Sequence, residues 1–122
     1  MKTFICYERC STCRKAQKWL DEHRVAYTLR PIKEQNPTAE ELAAWIARSG
    51  REAKAFFNTS GQLYRALGLK DRLPHMSRQE MLELLATDGM LVKRPLLVDE
   101  DSVLVGFREE EWAAALAPES GK

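Results

Sequence analysis

The residues best suited to do chemistry are a pair of cysteines near the N-terminus, in the run Cys10-Ser11-Thr12-Cys13. A helix that starts at the first cysteine offers unpaired N–H groups and the positive end of its dipole, and both favour a thiolate. This placement lowers a cysteine pKa from ~8.5 to between ~3.5 and ~7.5. Arg14 and Lys15 add positive charge in the first turn. We therefore predict that Cys10 is the nucleophile and that Cys13 resolves a mixed disulfide by thiol exchange.

The same cysteines are open to three other interpretations. A zinc site would need two further ligands from Cys6, His23 and His75, none of which forms a second paired spacing. The spacing Cys6-x3-Cys10-x2-Cys13 also matches the iron–sulfur motif of radical-SAM enzymes, which need a far larger barrel. The pair could also be chemically inert. We favour redox chemistry without a bound metal, and we interpret Cys6 as a buried small hydrophobic residue of a strand.

A second candidate element is Lys93-Arg94-Pro95, which precedes a predicted strand. A cis bond before Pro95 would bring a backbone turn beside the thiols, although the sequence does not reveal the isomer. Arg94 is the basic residue that we expect near Cys10, because a guanidinium stabilises a thiolate and donates two parallel hydrogen bonds to an oxyanion. A solvated surface arginine is the alternative interpretation.

The apolar spacing predicts the elements that position these residues. Alternation over residues 2–7 and 25–32 indicates two strands, and the helical spacing from Ser11 to about His23 lies between them. Strand, helix and strand close naturally as a right-handed parallel crossover. Several helices follow, two of them opened by capping boxes, at Thr38 with Glu41 and at Ser77 with Glu80. A hairpin over residues 96–105 and a last helix around Trp112 complete the order βαβ, helices, ββα.

Length and composition fit one ordinary globular domain. The chain has 122 residues, 44% of them hydrophobic, and 19 basic residues against 18 acidic ones give a net charge of +1. That balance argues against a protein that binds nucleic acid through bulk charge. No apolar run approaches the ~18 residues of a membrane helix, and the N-terminus carries no signal-peptide core. We therefore predict a cytoplasmic protein without direct membrane or nucleic-acid contacts.

Taken together, the motifs resemble those of the ArsC/Spx/MgsR family. The motifs that carry the resemblance are residues 10–15 (CSTCRK), 56–61 (FFNTSG), 64–69 (YRALGL), 88–91 (DGML) and 93–95 (KRP). The resemblance implies a thioredoxin-like α/β fold with a mixed four-stranded sheet and an all-helical insertion between its halves. It places the thioredoxin-like part at about 1–34 and 92–117, the insertion at about 35–91 and a flexible tail at 118–122. It also implies that Pro95 is cis.

One branch of this family reduces arsenate. There a cysteine at the position of Cys10 attacks the oxyanion, glutathione and glutaredoxin supply electrons, and three arginines surround the anion. Arg94 matches one arginine, but the second falls on Asn58 and the third near Gly106, with Arg108 close but not aligned. Losing two charged hydrogen-bonding groups, at ~1.5–3 kcal/mol per bond, makes arsenate itself a doubtful substrate. The resemblance also assigns Ser11, Thr12, Arg14, Asn58 and Pro95 to substrate binding.

The other branch consists of Spx- and MgsR-type transcriptional regulators. These proteins carry the C-x-x-C pair, respond to disulfide formation and bind the C-terminal domain of the RNA polymerase α subunit. Gly50 matches a glycine of that contact, although it also fits a helix stop. We favour a thiol–disulfide oxidoreductase recycled by thioredoxin, glutaredoxin or glutathione, with no bound cofactor and glutathione as a candidate co-substrate. A redox-sensing regulator is the alternative.

Overall fold

A computed structural model describes residues 2–116, so the predicted tail at 118–122 lies outside the described residues. In chain order the elements are β1 Lys2–Cys6, α1 Ser11–Glu22, β2 Tyr27–Pro31, α2 Ala39–Ser49, α3 Gln62–Ala66, α4 Leu69–Arg72, α5 Arg78–Leu85, β3 Leu96–Val98, β4 Val103–Val105 and α6 Glu109–Ala115. Short 3-10 helices occupy Ala53–Phe56, Leu73–His75 and Gly89–Leu91. The order is therefore βαβ, a series of helices, then ββα.

The four strands form one mixed sheet in the order β2-β1-β3-β4. Strands β1 and β2 are parallel, with α1 as their crossover, whereas β3 runs antiparallel to both β1 and β4. Phe4 in β1 lies opposite Leu29 of β2 and Leu97 of β3. The predicted thioredoxin-like α/β class, with a mixed four-stranded sheet, is confirmed.

Alternate residues of β1 pack in two separate hydrophobic cores, one on each face of the sheet. Phe4 and Cys6 pack in a core with α1 and α6, which we call the α1 core. Its buried members are Phe4, Cys6, Cys13, Ala16, Trp19, Leu20, Leu97 and Trp112. Ile5 faces the opposite way, into a larger core built with the helices between β2 and β3, which we call the insertion core. The period of two along β1 therefore assigns Cys6 to the α1 core, which also contains Cys13 of helix α1.

Both predicted capping boxes are present. The Thr38 hydroxyl accepts a hydrogen bond from the Glu41 N–H at 3.1 Å, and the Glu41 carboxylate accepts one from the Thr38 N–H at 3.0 Å. Ser77 and Glu80 form the same reciprocal pair at the start of α5. Helix α2 ends at Gly50, whose φ of 73° lies in the left-handed region that glycine adopts without strain.

The helices between β2 and β3 differ from the sequence prediction in detail. The sequence predicts no element directly before the Ser77 capping box, yet α4 and a 3-10 helix lie there. Gly68, with φ of 63°, separates α3 from α4, and each helix is too short to show an apolar period. Strand β2 begins at Tyr27 rather than at Val25. Within residues 2–116, no helix combines the length and apolar character needed to cross a membrane.

Candidate active site

Cys10 occupies the N-cap position of α1. Its backbone is extended, and its N–H donates a hydrogen bond to the Tyr7 carbonyl at 2.9 Å, which closes the turn between β1 and the helix. The Cys10 side chain makes no capping hydrogen bond and is partly exposed. A sulfur at this position faces the free N–H groups of the first helical turn. It is therefore both accessible and favourably placed to carry negative charge.

Cys13 lies one turn further along α1 and is only 2% exposed. Its sulfur accepts a hydrogen bond from the Tyr7 N–H at 3.4 Å and contacts the thiols of both Cys6 and Cys10. The hydrogen bond shared with Cys6, together with burial, raises the pKa of Cys13 well above its ordinary value, against the smaller opposing effects of Tyr7 and Cys10. Cys13 therefore keeps its proton at neutral pH, whereas Cys10 is the thiol that solvent reaches. All three cysteines are free thiols in this structure.

Cys10 opens into a cleft of about 1100 Å³. The cleft lies between the start of α1, the segment that joins α2 to α3, and the chain around β4, and we call it the basic cleft. Its lining includes five basic residues and, among the described residues, a single acidic one, Asp88. The basic residues are Arg51, Lys54, Lys93, Arg94 and Arg108. Arg51 is paired with Glu111 at 2.8 Å, and the excess of positive charge from the other basic residues attracts anionic ligands.

Arg94 supplies hydrogen-bond donors within the basic cleft. Its guanidinium carbon lies 5.1 Å from the centre of the Tyr7 ring, a cation–π contact that fixes the position of the side chain. The Nε and Nη1 atoms are buried and have no hydrogen-bond partner. Buried donors without partners are costly, so this arrangement fits a ligand that supplies oxygen acceptors. The peptide bond between Arg94 and Pro95 is cis, as the resemblance implied.

Lys93 and Gly106 meet on the wall of the basic cleft. Gly106 has a φ of 73°, and the Lys93 Cε lies 2.8 Å from the point where a Cβ on Gly106 would stand. A Cβ on Gly106 would therefore displace the flexible end of Lys93, and the stronger requirement for glycine is its left-handed backbone. The resemblance places an arginine of the arsenate reductases near this glycine. Here a lysine from the neighbouring segment brings a positive charge to the same region.

The remaining predicted site residues divide into two groups. Ser11, Thr12 and Asn58 line the basic cleft together with Cys10. Arg14 does not, because its Nε donates a hydrogen bond to the carbonyl of Glu8 at 3.2 Å on the outer surface of α1. Gly50 is exposed at the end of α2 and also lies outside the cleft lining. The structure therefore brings together the cysteine pair, Arg94 and Asn58, but leaves Arg14 and Gly50 apart from them.

The histidines considered as zinc ligands lie away from the thiols. The His23 ring stacks on Trp19 with a centroid distance of 4.0 Å, near the end of α1. His75 is exposed in a 3-10 helix beyond α4. Within the described part of the chain, no group of three or more His, Cys, Asp or Glu side chains is arranged to hold a metal ion.

Sequence reasoning missed several residues of the cleft. Arg51 and Lys54 come from the segment after α2, and neither belongs to a recognisable motif. Tyr7 was interpreted only as a strand residue, yet its backbone contacts Cys13 and its ring contacts Arg94. No local pattern could have identified these roles, because each depends on the packing of distant segments.

The fold and the site together define a class: a thioredoxin-like protein whose first helix begins at an accessible thiol, with a second thiol buried behind it. The family comparison makes this more specific. The model of the ArsC family matches residues 6–115, and the chain belongs to that family.

Two curated relatives and one solved structure show how similar the chain is to other proteins. It is 54% identical to YusI of Bacillus subtilis over 110 residues, which are 90% of this chain and 93% of YusI. It is 31% identical to the regulatory protein MgsR of Bacillus subtilis, over 89% of this chain and 85% of MgsR. The crystal structure of an ArsC family related protein from Bacteroides fragilis superposes with a TM-score of 0.91 at 55% identity, covering 93% of this chain and 95% of that one.

Proposed function

We propose that this chain is a thiol–disulfide oxidoreductase of the ArsC family, working in the reducing cytoplasm. The observation that carries the proposal is the pairing of an accessible Cys10, open to the basic cleft, with a buried Cys13 in contact with it. This difference in access separates the attacking thiol from the resolving one. An inert pair would need no cleft above its outer sulfur.

The proposed reaction has two exchange steps. The Cys10 thiolate attacks one sulfur of a substrate disulfide, forms a mixed disulfide and releases the other half as a thiolate. The Cys13 thiol then attacks the Cys10 sulfur, which forms the Cys10–Cys13 disulfide, and the second half leaves as a thiol. The substrate gains two electrons and the protein loses two. Thioredoxin, glutaredoxin or glutathione would return the protein to the dithiol form.

The basic cleft supports an anionic substrate. Arg94 offers two buried donors without partners, and Lys93 and Arg108 add charge at the rim. A disulfide that carries carboxylates, such as glutathione disulfide, would satisfy these donors. Asn58 lines the cleft at the position where the resemblance places a second arginine of the arsenate reductases. We therefore propose that disulfides are reduced efficiently and that arsenate is a poor substrate.

The test follows NADPH consumption in thioredoxin- and glutaredoxin-coupled assays. The wild type is offered arsenate or a carboxylate-bearing disulfide that the coupling enzymes do not themselves reduce, and Cys10→Ala serves as the control. Disulfide-dependent turnover that disappears in Cys10→Ala is the expected result. Turnover that persists in the variant, or none in the wild type, would contradict the proposal.

A redox-sensing regulator is the second candidate, and the similarity to MgsR favours it. In this proposal the same disulfide changes the affinity for the C-terminal domain of the RNA polymerase α subunit, with Gly50 at the contact. Gly50 is exposed, and nothing lies within 4 Å of the point where a side chain would begin, so a partner could approach it closely. Binding titrations of the reduced and oxidised protein against that domain test the proposal. An absence of binding in both redox states would exclude it.

A further inference from the structure

We propose that Cys6 is a third thiol of the reaction, which takes over the bond to Cys13 and so returns Cys10 to its reduced form within the oxidised protein. This inference rests on the proposed oxidoreductase chemistry, and it assigns a role to a buried nucleophile that the two-step reaction leaves unused. Sequence analysis interpreted Cys6 only as a hydrophobic strand residue. The structure places it against the resolving thiol.

The three cysteines pack together: Cys6 and Cys13 are buried members of the α1 core, and Cys10 packs against it. Cys13 contacts the thiols of both Cys6 and Cys10. Its sulfur also lies 3.4 Å from the backbone nitrogen of Tyr7, the residue directly after Cys6. Two backbone bonds separate that nitrogen from the Cys6 Cα, so the Cys13 sulfur lies within about 6 Å of this Cα. Since both side chains also pack in the α1 core, the Cys6 thiol lies close enough to the Cys13 sulfur to exchange with it.

The packing around Cys6 also favours exchange over any other reaction of its thiol. Cys6 and Cys13 are 7% and 2% exposed, and both belong to the α1 core. A substrate disulfide in the basic cleft therefore reaches Cys10 but not Cys6. The contact with Cys13 leaves the internal disulfide as the natural partner for Cys6.

The exchange step balances without an added reagent. The Cys6 sulfur attacks the Cys13 sulfur of the Cys10–Cys13 disulfide, the new Cys6–Cys13 bond forms and the old bond breaks. Cys10 leaves with the bonding electron pair and takes up the proton that Cys6 has lost. The protein holds one disulfide before and after the step, so no net oxidation or reduction occurs.

The consequence is an oxidised protein whose outer thiol is again free. A protein with only Cys10 and Cys13 loses its nucleophile when the disulfide forms. With Cys6 in the exchange, the disulfide moves into the α1 core and Cys10 remains able to react in the cleft. Reduction then proceeds by the reverse exchange, because an external thiol reaches only Cys10.

The sequence offers a direct assay for this exchange. Trypsin cleaves after Arg9 and Arg14, so Cys6 lies in the peptide of residues 3–9, while Cys10 and Cys13 share the peptide of residues 10–14. The native protein is oxidised with glutathione disulfide, labelled with iodoacetamide, then digested at mildly acidic pH, where trypsin still cleaves and thiol exchange is slow, and analysed by mass spectrometry. We expect the two peptides to be linked by a disulfide, with the iodoacetamide label on Cys10. Fragment ions assign the linkage to Cys13.

Two variants sharpen the result. In Cys6→Ser, the oxidised protein should show a disulfide within the 10–14 peptide alone, and the labelling of Cys10 should fall to background. In Cys10→Ser, glutathione disulfide should leave Cys6 and Cys13 as free thiols, because both are buried and the thiol through which oxidation enters is missing. Near-ultraviolet circular dichroism of the tryptophans in the α1 core confirms that both variants fold.

The failures of the two proposals are distinguishable. A wild type that forms the Cys10–Cys13 disulfide and turns over, but never links Cys6, overturns the role of Cys6 and leaves the oxidoreductase intact. Linkage of Cys6 to Cys10 instead of Cys13 also overturns it. Absence of turnover in the coupled assay overturns the oxidoreductase itself, whatever the peptides show.

Discussion

Replacing Arg94 with alanine should slow the reaction of Cys10 with anionic disulfides and spare its reaction with neutral ones. Arg94 presents two buried donors without protein partners, held in place by the Tyr7 ring. One hydrogen bond to a charged group contributes ~1.5–3 kcal/mol, and ~1.4 kcal/mol corresponds to a tenfold change. Because the cleft is open to solvent, we take the loss of one such bond as the effect. The expected decrease is therefore about tenfold to a hundredfold.

The assay needs no coupling enzyme. Reduced protein is mixed with dithiobis(nitrobenzoic acid), which carries two carboxylates, or with neutral dithiodipyridine, and the released chromophore gives the second-order rate. Lys70→Ala is the matched control, since it removes one positive charge from an exposed site on α4, outside the cleft lining. Arg94→Lys should recover part of the rate, because it keeps the charge but lacks the planar fork. An unchanged rate with the dianionic reagent would refute the role given to Arg94.

Three further predictions follow from single features. Cys10 should alkylate faster than Cys13 in the native protein because Cys13 is buried; equal rates in a labelling time course would contradict this. Gly106→Ala should lower the free energy of unfolding by about 1–2 kcal/mol, because of its left-handed backbone and the Lys93 stem, and an unchanged urea midpoint would argue otherwise. Arg30 forms an ion pair with Glu41 at 2.7 Å, and its hydrogen bonds hold the pKa of Glu41 at about 2, below the ordinary value of ~4.3. The ion pair therefore stabilises the fold above pH ~4.3, and this stabilisation is lost as the pH falls towards 2. Glu41→Gln should lower the free energy of unfolding by about 1 kcal/mol at pH 7, after allowance for solvent screening, and by almost nothing at pH 2. A difference that persists at pH 2 in urea titrations would contradict this assignment.

The parts of the fold that could be predicted are those with local signals. The capping boxes at Thr38 and Ser77 were readable because all their partners lie within three residues along the chain. The pattern of residues 2–7 indicated a short strand. In the structure both faces of β1 are buried at Phe4, Ile5 and Cys6. Helix α4 and the 3-10 helix at Leu73–His75 were missed, since four and three residues show no helical period. Their positions are set by packing on the insertion core.

The sequence predicted part of the cleft lining, namely Cys10, Ser11, Thr12, Asn58 and Arg94. The C-x-x-C spacing and the turn before α1 are local, so the roles proposed for Cys10 and Cys13 rest on a few neighbouring residues. The positive charge of the cleft could not be predicted from a local pattern, because Arg51 and Arg108 are distant in sequence and line the same cleft only in the folded protein. The same holds for Cys6, whose contact with Cys13 depends on how α1 packs on β1.

The separation of the two cores distinguishes a disulfide that acts in the cleft from one that changes the surface at Gly50. Cys13 packs in the α1 core, whereas α2, which ends at Gly50, packs in the insertion core on the other face of the sheet. A change at Cys13 must therefore cross the sheet, or pass through the basic cleft, before it alters a surface at Gly50. Packed cores resist such changes unless they have two discrete arrangements. Cys10, Cys13 and Arg94, by contrast, need no long-range movement to exchange a disulfide in the cleft. The regulator proposal therefore requires a conformational difference on α2 between the dithiol and disulfide forms. Hydrogen exchange of residues 39–50 tests this requirement, and equal exchange in both forms would favour the oxidoreductase.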